Sequence, residues 1–161
     1  MALIIDQDDI VQLVGFRIGT KLFGANILNV REILRDPSID TIDGAPDFVQ
    51  GISRIRGQVL PIIDLGRMLG VAADSKSGEK IWVLVAQAGK RNVGYVVDSV
   101  TPIIRVKTET ILPTPDIILH SMRSKYINGV CETDKGLLVM VDLNRILVDD
   151  EVNAVDKVVV K

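Results

Sequence analysis

The sequence predicts an all-β protein built as two small barrels, and three observations carry that prediction. Apolar residues are plentiful but rarely aromatic: 47% of the 161 residues are hydrophobic and 4% are Phe, Trp or Tyr. A core of that composition is made mostly of Ile, Val and Leu, and its β-branched members favour pleated surfaces over helices. Period-two runs of these residues are separated by Gly-containing turn signals at close spacing. Finally, one unit occurs twice. "GISRIRGQVLPIIDLGRML" (51–69) returns as "GVCETDKGLLVMVDLNRIL" (129–147). Each copy has a strand-like run, a turn ending in Gly57 or Gly136, an apolar strand, and a closing "DLGRML" or "DLNRIL". Repeats constrain the fold before any single element does.

Taken in order, "LVGFRI" and "TKLFGANI" flank Gly19-Thr20-Lys21, a hairpin signal, and "IWVLVAQ" and "NVGYVVDSV" flank Ala88-Gly89-Lys90-Arg91, another. Gly19 and Gly24 match Gly89 and Gly94 in spacing. Ile27, Val30 and Ile33 then match Val97, Val100 and Ile103. In "DPSIDTIDGAPDFVQG", Pro46 and Asp47 suit a helix first turn and Gly51 its C′ position, which predicts a helix of about two turns over Ala45–Gln50. "DLGRML" and "DLNRIL" read as short helical turns, each with Asp64 or Asp142 near the start and an arginine three residues on. The recurrence of the two aspartates points to helix capping. "GVAADSKSGEK" (70–80) is small and polar, as a linker should be. The stretch "LPTPDIILHSMRSKY" interrupts the second half, and the tail "DDEVNAVDKVVVK" fits either helix or strand. Residues of about 12–69 and 82–147 thus form two versions of one unit, each with about five short strands, which suggests small barrels closed on themselves. Because strands pair across each barrel, the chain termini can lend strands to the other half. Barrels of this size are filled by side chains, so function is left to edges, turns and the groove between halves.

Composition excludes several classes of function. A formal net charge of −2 does not suit nucleic acid, whose phosphates need a basic surface. Cys131 has no cysteine to pair with and sits in a strand-like run, where it reads as a small buried hydrophobe. His120 stands alone in "DIILHSMRS", in a surface or capping role. "MALIIDQDDIV" has no basic region before its apolar run, so no signal peptide is expected, and no apolar run approaches the roughly 18 residues of a spanning helix. A cytoplasmic protein, complete from its opening methionine, is expected. Gly19–Gly24 and Gly89–Gly94 have Gly-x-x-x-x-Gly spacing but no following Lys-Ser/Thr to hold a nucleotide phosphate. No zinc spacing, Gly-x-Ser-x-Gly elbow or nucleophile–base pair is found, so no enzyme, metal or cofactor is expected.

What differs between the copies is what the fold does not require. The first half has "NVREI" and "RIRG" where the second has "SVTPI" and "TDKG", the latter read as the counterpart turn Thr133-Asp134-Lys135-Gly136. Glu32 and Arg56 are placed to face each other across neighbouring strands. Spacing alone leaves two meanings open: a surface ion pair worth about 0–1 kcal/mol, or a charged element beside an apolar groove that counts once a partner excludes water.

The chain resembles the CheW family of chemotaxis coupling proteins over about residues 11–148. The resemblance is carried by "VGFRIGTKLFGANILNVREI", "DGAPDFVQGISRIRGQVLPIIDL", "NVGYVVDSV" and "YINGVCETDKGLLVMVDLNRIL". It implies a single CheW-like domain over residues 1–161, made of two SH3-like five-stranded β-barrels packed around a shared apolar seam, with short helices. It further implies a non-enzymatic scaffold that couples the cytoplasmic tip of transmembrane chemoreceptors to the regulatory domain of the histidine kinase CheA. Such a protein is cytoplasmic, recruited to receptor arrays, with no membrane insertion and no nucleic-acid partner. Carried onto this sequence, the receptor-facing residues are Val30, Glu32, Arg56, Gly57, Trp82, Val83, Val100 and Ile103. Ile27 and Leu28 are the candidates for kinase contact. The family's turn usually reads Asn-Leu-Arg-Gly. Here Arg54-Ile55-Arg56-Gly57 keeps Arg56 but replaces the amide with a second positive charge, which alters the local field a receptor meets. The alternatives are an adaptor of another chemosensory pathway, serving pilus or gliding motility, and a small-molecule-binding barrel. The last would need a cavity with polar recognition groups, which an Ile/Val/Leu interior does not supply.

Overall fold

The computed structural model of the chain describes residues 9–71, 80–88, 90–121 and 124–146. The first unit contributes β1 (Ile10–Ile18), β2 (Lys21–Asn26), β3 (Glu32–Arg35), β4 (Val49–Ile55), β5 (Gln58–Asp64) and the short helix α1 (Leu65–Leu69). The second contributes β6 (Trp82–Ala88), β7 (Arg91–Val97), β8 (Ser99–Val100), β9 (Ile104–Lys107), α2 (Asp116–Ser121), β10 (Ile127–Thr133) and β11 (Gly136–Val141). The described residues also hold four single 3₁₀ turns, at Ile27–Asn29, Thr108–Thr110, Ser124–Tyr126 and Leu143–Arg145. The β1–β2 hairpin turns at Gly19, whose φ of +61° is open to glycine. Its amide donates to Asp98 Oδ2 at 2.7 Å, fixing the turn against the second unit.

The strands do not sort by unit. One sheet runs β10-β11-β2-β1-β8, with β9 also on β1; the other runs β3-β6-β7-β5-β4. The opening hairpin of each unit has therefore crossed into the sheet completed by the other unit's later strands. The two units are joined by the parallel pairings of β11 with β2 and β5 with β7 and by the antiparallel ones of β3 with β6 and of β1 with β8 and β9. The division expected near residues 70–80 is thus not a division between sheets, and 72–79 lie outside the described residues. The loan expected of the chain termini is instead an exchange of whole hairpins, β1–β2 and the internal β6–β7.

Each sheet curls until its two edges meet. The chain beyond β3 bridges β4 through Asp40 and Ile52, and the chain beyond β9 bridges β10 through Leu112 and Val130. Glycine makes both approaches possible. A Cβ on Gly51 would lie 2.3 Å from the Asp40 carbonyl, and one on Gly129 would lie 2.7 Å from that of Leu112. Inside one barrel Leu13, Leu22, Val106, Cys131, Leu138 and Met140 are packed together; inside the other, Leu60, Ile62, Val83 and Val85. Between the sheets lies the largest cluster, with Phe16 stacked on Phe23, and with Leu84, Tyr95, Val139 and Leu143. This is the shared apolar seam.

The two "DL" motifs cap their turns as expected: Asp64 Oδ1 accepts from the Arg67 amide at 3.2 Å, and Asp142 Oδ1 from that of Asn144 at 3.0 Å. Two local expectations fail. No helix forms over 45–50. Tight turns at Asp43-Gly44 and Asp47-Phe48 lead straight into β4, because the Phe48 carbonyl is taken by the Asp64 amide and Val49 pairs with Ile63. The strand ladder outweighs a two-turn helix that buries little. The two hairpin turns are also not counterparts in the expected register. With Gly51/Gly129 and Asp64/Asp142 as anchors, Arg56 stands opposite Asp134 and Gly57 opposite Lys135. Arg56 (φ +51°) and Gly57 (φ +78°) form a turn of the I′ kind between Ile55 and Gln58. Asp134 and Lys135 keep negative φ, and Gly136 takes +113° while its carbonyl accepts from Thr133 Oγ1. The tail beyond 146 and Gly89 lie outside the described residues, as does the His120 side chain.

Candidate functional site

The residues singled out by sequence fall into three places. Glu32 opens β3, and Arg56 forms the β4–β5 turn. These strands are the two outer members of their sheet, not paired neighbours, and they meet because the barrel curls closed. Arg56 spans the remaining gap with a bidentate contact to Glu32, Nη1 to Oε2 being 2.7 Å. The arginine side chain is 76% exposed and the carboxylate 24%. Arg56 is one of two non-glycine residues with positive φ among the described residues, a conformation that costs an L-residue roughly 1–2 kcal/mol. Gly57 beside it meets no neighbouring atom where a Cβ would stand, so its role is conformational.

The equivalent gap in the other barrel is chemically different. Aspartate 134 replaces the arginine, and proline 102, one residue before Ile103, replaces the glutamate. No such pair can form, and an open pocket of about 360 Å³ remains, lined by Ile103, Val106, Glu132 and Lys135 among others. Ile103, 43% exposed, thus lies at this second gap, not beside Arg56.

The third place is the rim of the shared seam. Ile27, Val30, Trp82 and Val100 are half-buried and pack against the large cluster between the sheets. Asn26 holds the 3₁₀ turn that positions Ile27 and Val30, its Oδ1 accepting from the Leu28 amide at 2.9 Å. That turn pushes Leu28 out to 86% exposure. Trp82 lies under the Arg35 guanidinium, 5.3 Å from the ring centroid. Val83 corrects the sequence reading: it is fully buried inside the barrel that carries Glu32 and Arg56, with Leu60 and Ile62. The physical reason is strand alternation. Trp82 and Val83 are consecutive on β6 and face opposite sides, so both cannot line one groove.

Sequence reasoning missed Arg31 and its surroundings. Its Nη2 donates to Gln87 Oε1 at 2.5 Å, and its backbone amide to the Val85 carbonyl at 2.7 Å. The signal was present in "NVREI", which sets a second charged residue, Arg31, beside Glu32. Among the described residues no group of three His, Cys, Asp or Glu is placed to hold a metal, and no helix is long and apolar enough to cross a membrane.

Comparison with known proteins places this arrangement. The family model for the CheW-like domain matches residues 12–151. The chain is 35% identical over 140 residues to chemotaxis protein CheW of Rhizobium meliloti, covering 87% of this chain and 89% of that one. It is 33% identical over 146 residues to chemotaxis protein CheW of Klebsiella aerogenes, covering 89% and 85%. The crystal structure of the scaffolding protein TtCheW from Thermoanaerobacter tengcongensis superposes with a TM-score of 0.76 at 26% identity, covering 88% of this chain and 94% of that one.

Proposed function

The chain belongs to the CheW-like family, and from that membership we propose that it is a scaffold that couples chemoreceptors to the histidine kinase CheA in chemotaxis signalling. The observation that carries this reading is the match across residues 12–151, which takes in both interlocked barrels. The structure supports a binding role through its chemistry. Its interiors are packed with aliphatic side chains, and its distinctive polar groups stand on turns and edges. In this reading the protein supplies surfaces and no reaction step of its own.

On the receptor side, Glu32, Arg56 and Gly57 present a preformed charged edge to the cytoplasmic tip of the receptor, beside the apolar rim of Val30, Trp82 and Val100. Ile103 extends the contact onto the other barrel. The ion pair fixes the guanidinium, so a receptor carboxylate meets an ordered donor, and excluding water strengthens both interactions. On the kinase side, Leu28 and the adjoining Ile27 offer an apolar knob to the regulatory domain of CheA. Such contacts would hold the protein at membrane-associated receptor arrays on the cytoplasmic side.

The test is co-sedimentation of the full chain with a receptor signalling fragment and CheA, together with a kinase assay. Binding to both, with kinase stimulation appearing only when all three are mixed, is expected. Phosphorylation by this chain alone from ATP, or the absence of a ternary complex at saturating concentrations, would refute it.

A further inference from the structure

Leu28 is the most exposed large hydrophobic side chain among the described residues. Little packs on a side chain that open, so its direction is set by the backbone turn beneath it. That turn, Ile27–Asn29, is a single 3₁₀ turn closed by one backbone bond, from the Val30 amide to the Ile27 carbonyl at 3.2 Å. A single closed turn is weak support by itself. Its last residue has a second tether: Asn144 Nδ2 donates to Asn29 Oδ1 at 3.1 Å, across 115 residues of chain.

Asn144 reaches out from a fixed base. It lies in the 3₁₀ turn Leu143–Arg145, where its own amide donates to Asp142 Oδ1 and where Asp142 Oδ2 meets Arg145 Nε at 3.4 Å. Leu143 and Ile146, on either side, are fully buried in the seam, and the Leu143 carbonyl accepts from the Tyr95 hydroxyl at 3.4 Å. The internal repeat shows that the fold does not require this link. With Ile27 matched to Val97 and Val30 to Val100, the counterpart of Asn29 is Ser99. With Asp64 matched to Asp142, the counterpart of Asn144 is Gly66, which has no side chain to offer. A Cβ there would lie 2.8 Å from the Val71 carbonyl. The counterpart of Leu28 is Asp98, whose carboxylate turns back to accept from the Gly19 amide. The exposed apolar knob and the amide that tethers its turn thus occur together at one of two equivalent places, and both are missing at the other.

We propose that Asn144 is a positioning residue for kinase contact: through Asn29 it holds Leu28 in the direction in which the kinase meets it. This rests on the reading of Leu28 as a kinase-facing residue. An untethered turn would have to be ordered as the kinase bound, at a loss of affinity, and the Asn29–Asn144 bond orders it beforehand. It also makes a contact residue of the first unit depend on the closing turn of the second.

The experiment combines titration calorimetry against the CheA regulatory domain, hydrogen exchange of the Leu28 amide by NMR, and thermal melts, all on the full chain. The Leu28 amide donates to Asn26 Oδ1, so its exchange reports how firmly the turn is held. Asn144→Ala should lose about fivefold in kinase affinity, the worth of one hydrogen bond, and speed Leu28 exchange by a similar factor. It should melt within about 2 °C of wild type. Asn29→Ala removes the same bond from the other side and should do the same, and the two losses should not add in the double variant. Asn144→Asp, isosteric and able to accept from the Asn29 amide, should bind within about twofold of wild type. Unchanged Leu28 exchange in both alanine variants overturns the inference. So do additive losses, which would show the two amides touching the kinase separately. Leu28→Ala separates the inference from its premise. If it loses kinase affinity while Asn144→Ala does not, the positioning role alone is refuted; if it binds the kinase as wild type does, the kinase reading is refuted and the positioning role with it.

Discussion

Arg56 is predicted to matter for binding and almost not at all for folding, and the structure sets both magnitudes. Replacing it with alanine removes an ion pair whose cationic side is 76% exposed, worth at most about 1 kcal/mol. The positive φ is kept, so its cost is unchanged. In a chain of 161 residues, 1 kcal/mol shifts the melting temperature by about 2–4 °C. Arg56→Gly loses the same pair but relieves roughly 1 kcal/mol of backbone cost, so it should melt within about 2 °C of wild type. At a receptor interface the account changes, because truncating one member of a desolvated, hydrogen-bonded charge pair costs about 2–5 kcal/mol. That is a loss of about thirtyfold to several thousandfold in affinity. Calorimetric titration with a receptor signalling fragment, alongside thermal melts, measures both quantities on each variant. Arg54→Ala, off the ion pair, should change neither by much. If Arg56→Gly binds receptor as wild type does, or if Arg56→Ala unfolds the protein, the reasoning is wrong.

Gly51→Ala should destabilise by about 1–3 kcal/mol, since its Cβ would press on the Asp40 carbonyl and break the bridge that closes the barrel; a lowered denaturant midpoint checks this. Burial pushes the Cys131 thiol above its usual range, so the folded chain holds a proton that the unfolded chain releases first. Stability from this source is complete below about pH 8.5 and falls as pH rises above it. Cys131→Val should flatten that part of the pH–stability curve, and native protein should resist thiol reagents that label it fully once unfolded. Residues 9–71 and 80–146, expressed separately, should each be unstructured by circular dichroism and regain strand signal on mixing, because each lacks strands of both sheets.

The strand content, the repeat, the capping aspartates and the Glu32–Arg56 pair were all legible in the sequence, because each rests on local spacing or local charge. The hairpin exchange was not. Gly24 and Gly94 look alike whether each hairpin stays with its own unit or crosses to the other. Pairings between segments far apart in the chain decide it: Leu138 with Leu22, Ile62 with Gly94, and β9 with β1. The helix expected over 45–50 failed for a related reason: Pro46 and Gly51 were read as caps, but Gly51 is glycine to admit the Asp40 carbonyl. Val83, which the family resemblance sets beside Trp82, is buried because alternate residues of a strand face opposite sides.

The crossing of β2 to β11 also sets a clock on the ribosome. Leu22 waits for Leu138, 138 − 22 = 116 residues later. At about 5–20 residues per second, that is roughly 6–23 s of synthesis. Until β8 and β9 are made and pair with β1, the first hairpin has only its own turn to hold it, and an isolated hairpin is marginally stable at best. Phe16 and Phe23, stacked and sealed in the finished seam, are meanwhile exposed on a nascent chain with free strand edges. The interlock that ties the two barrels together is therefore also what leaves this chain, while it is being made, in need of protection from its neighbours.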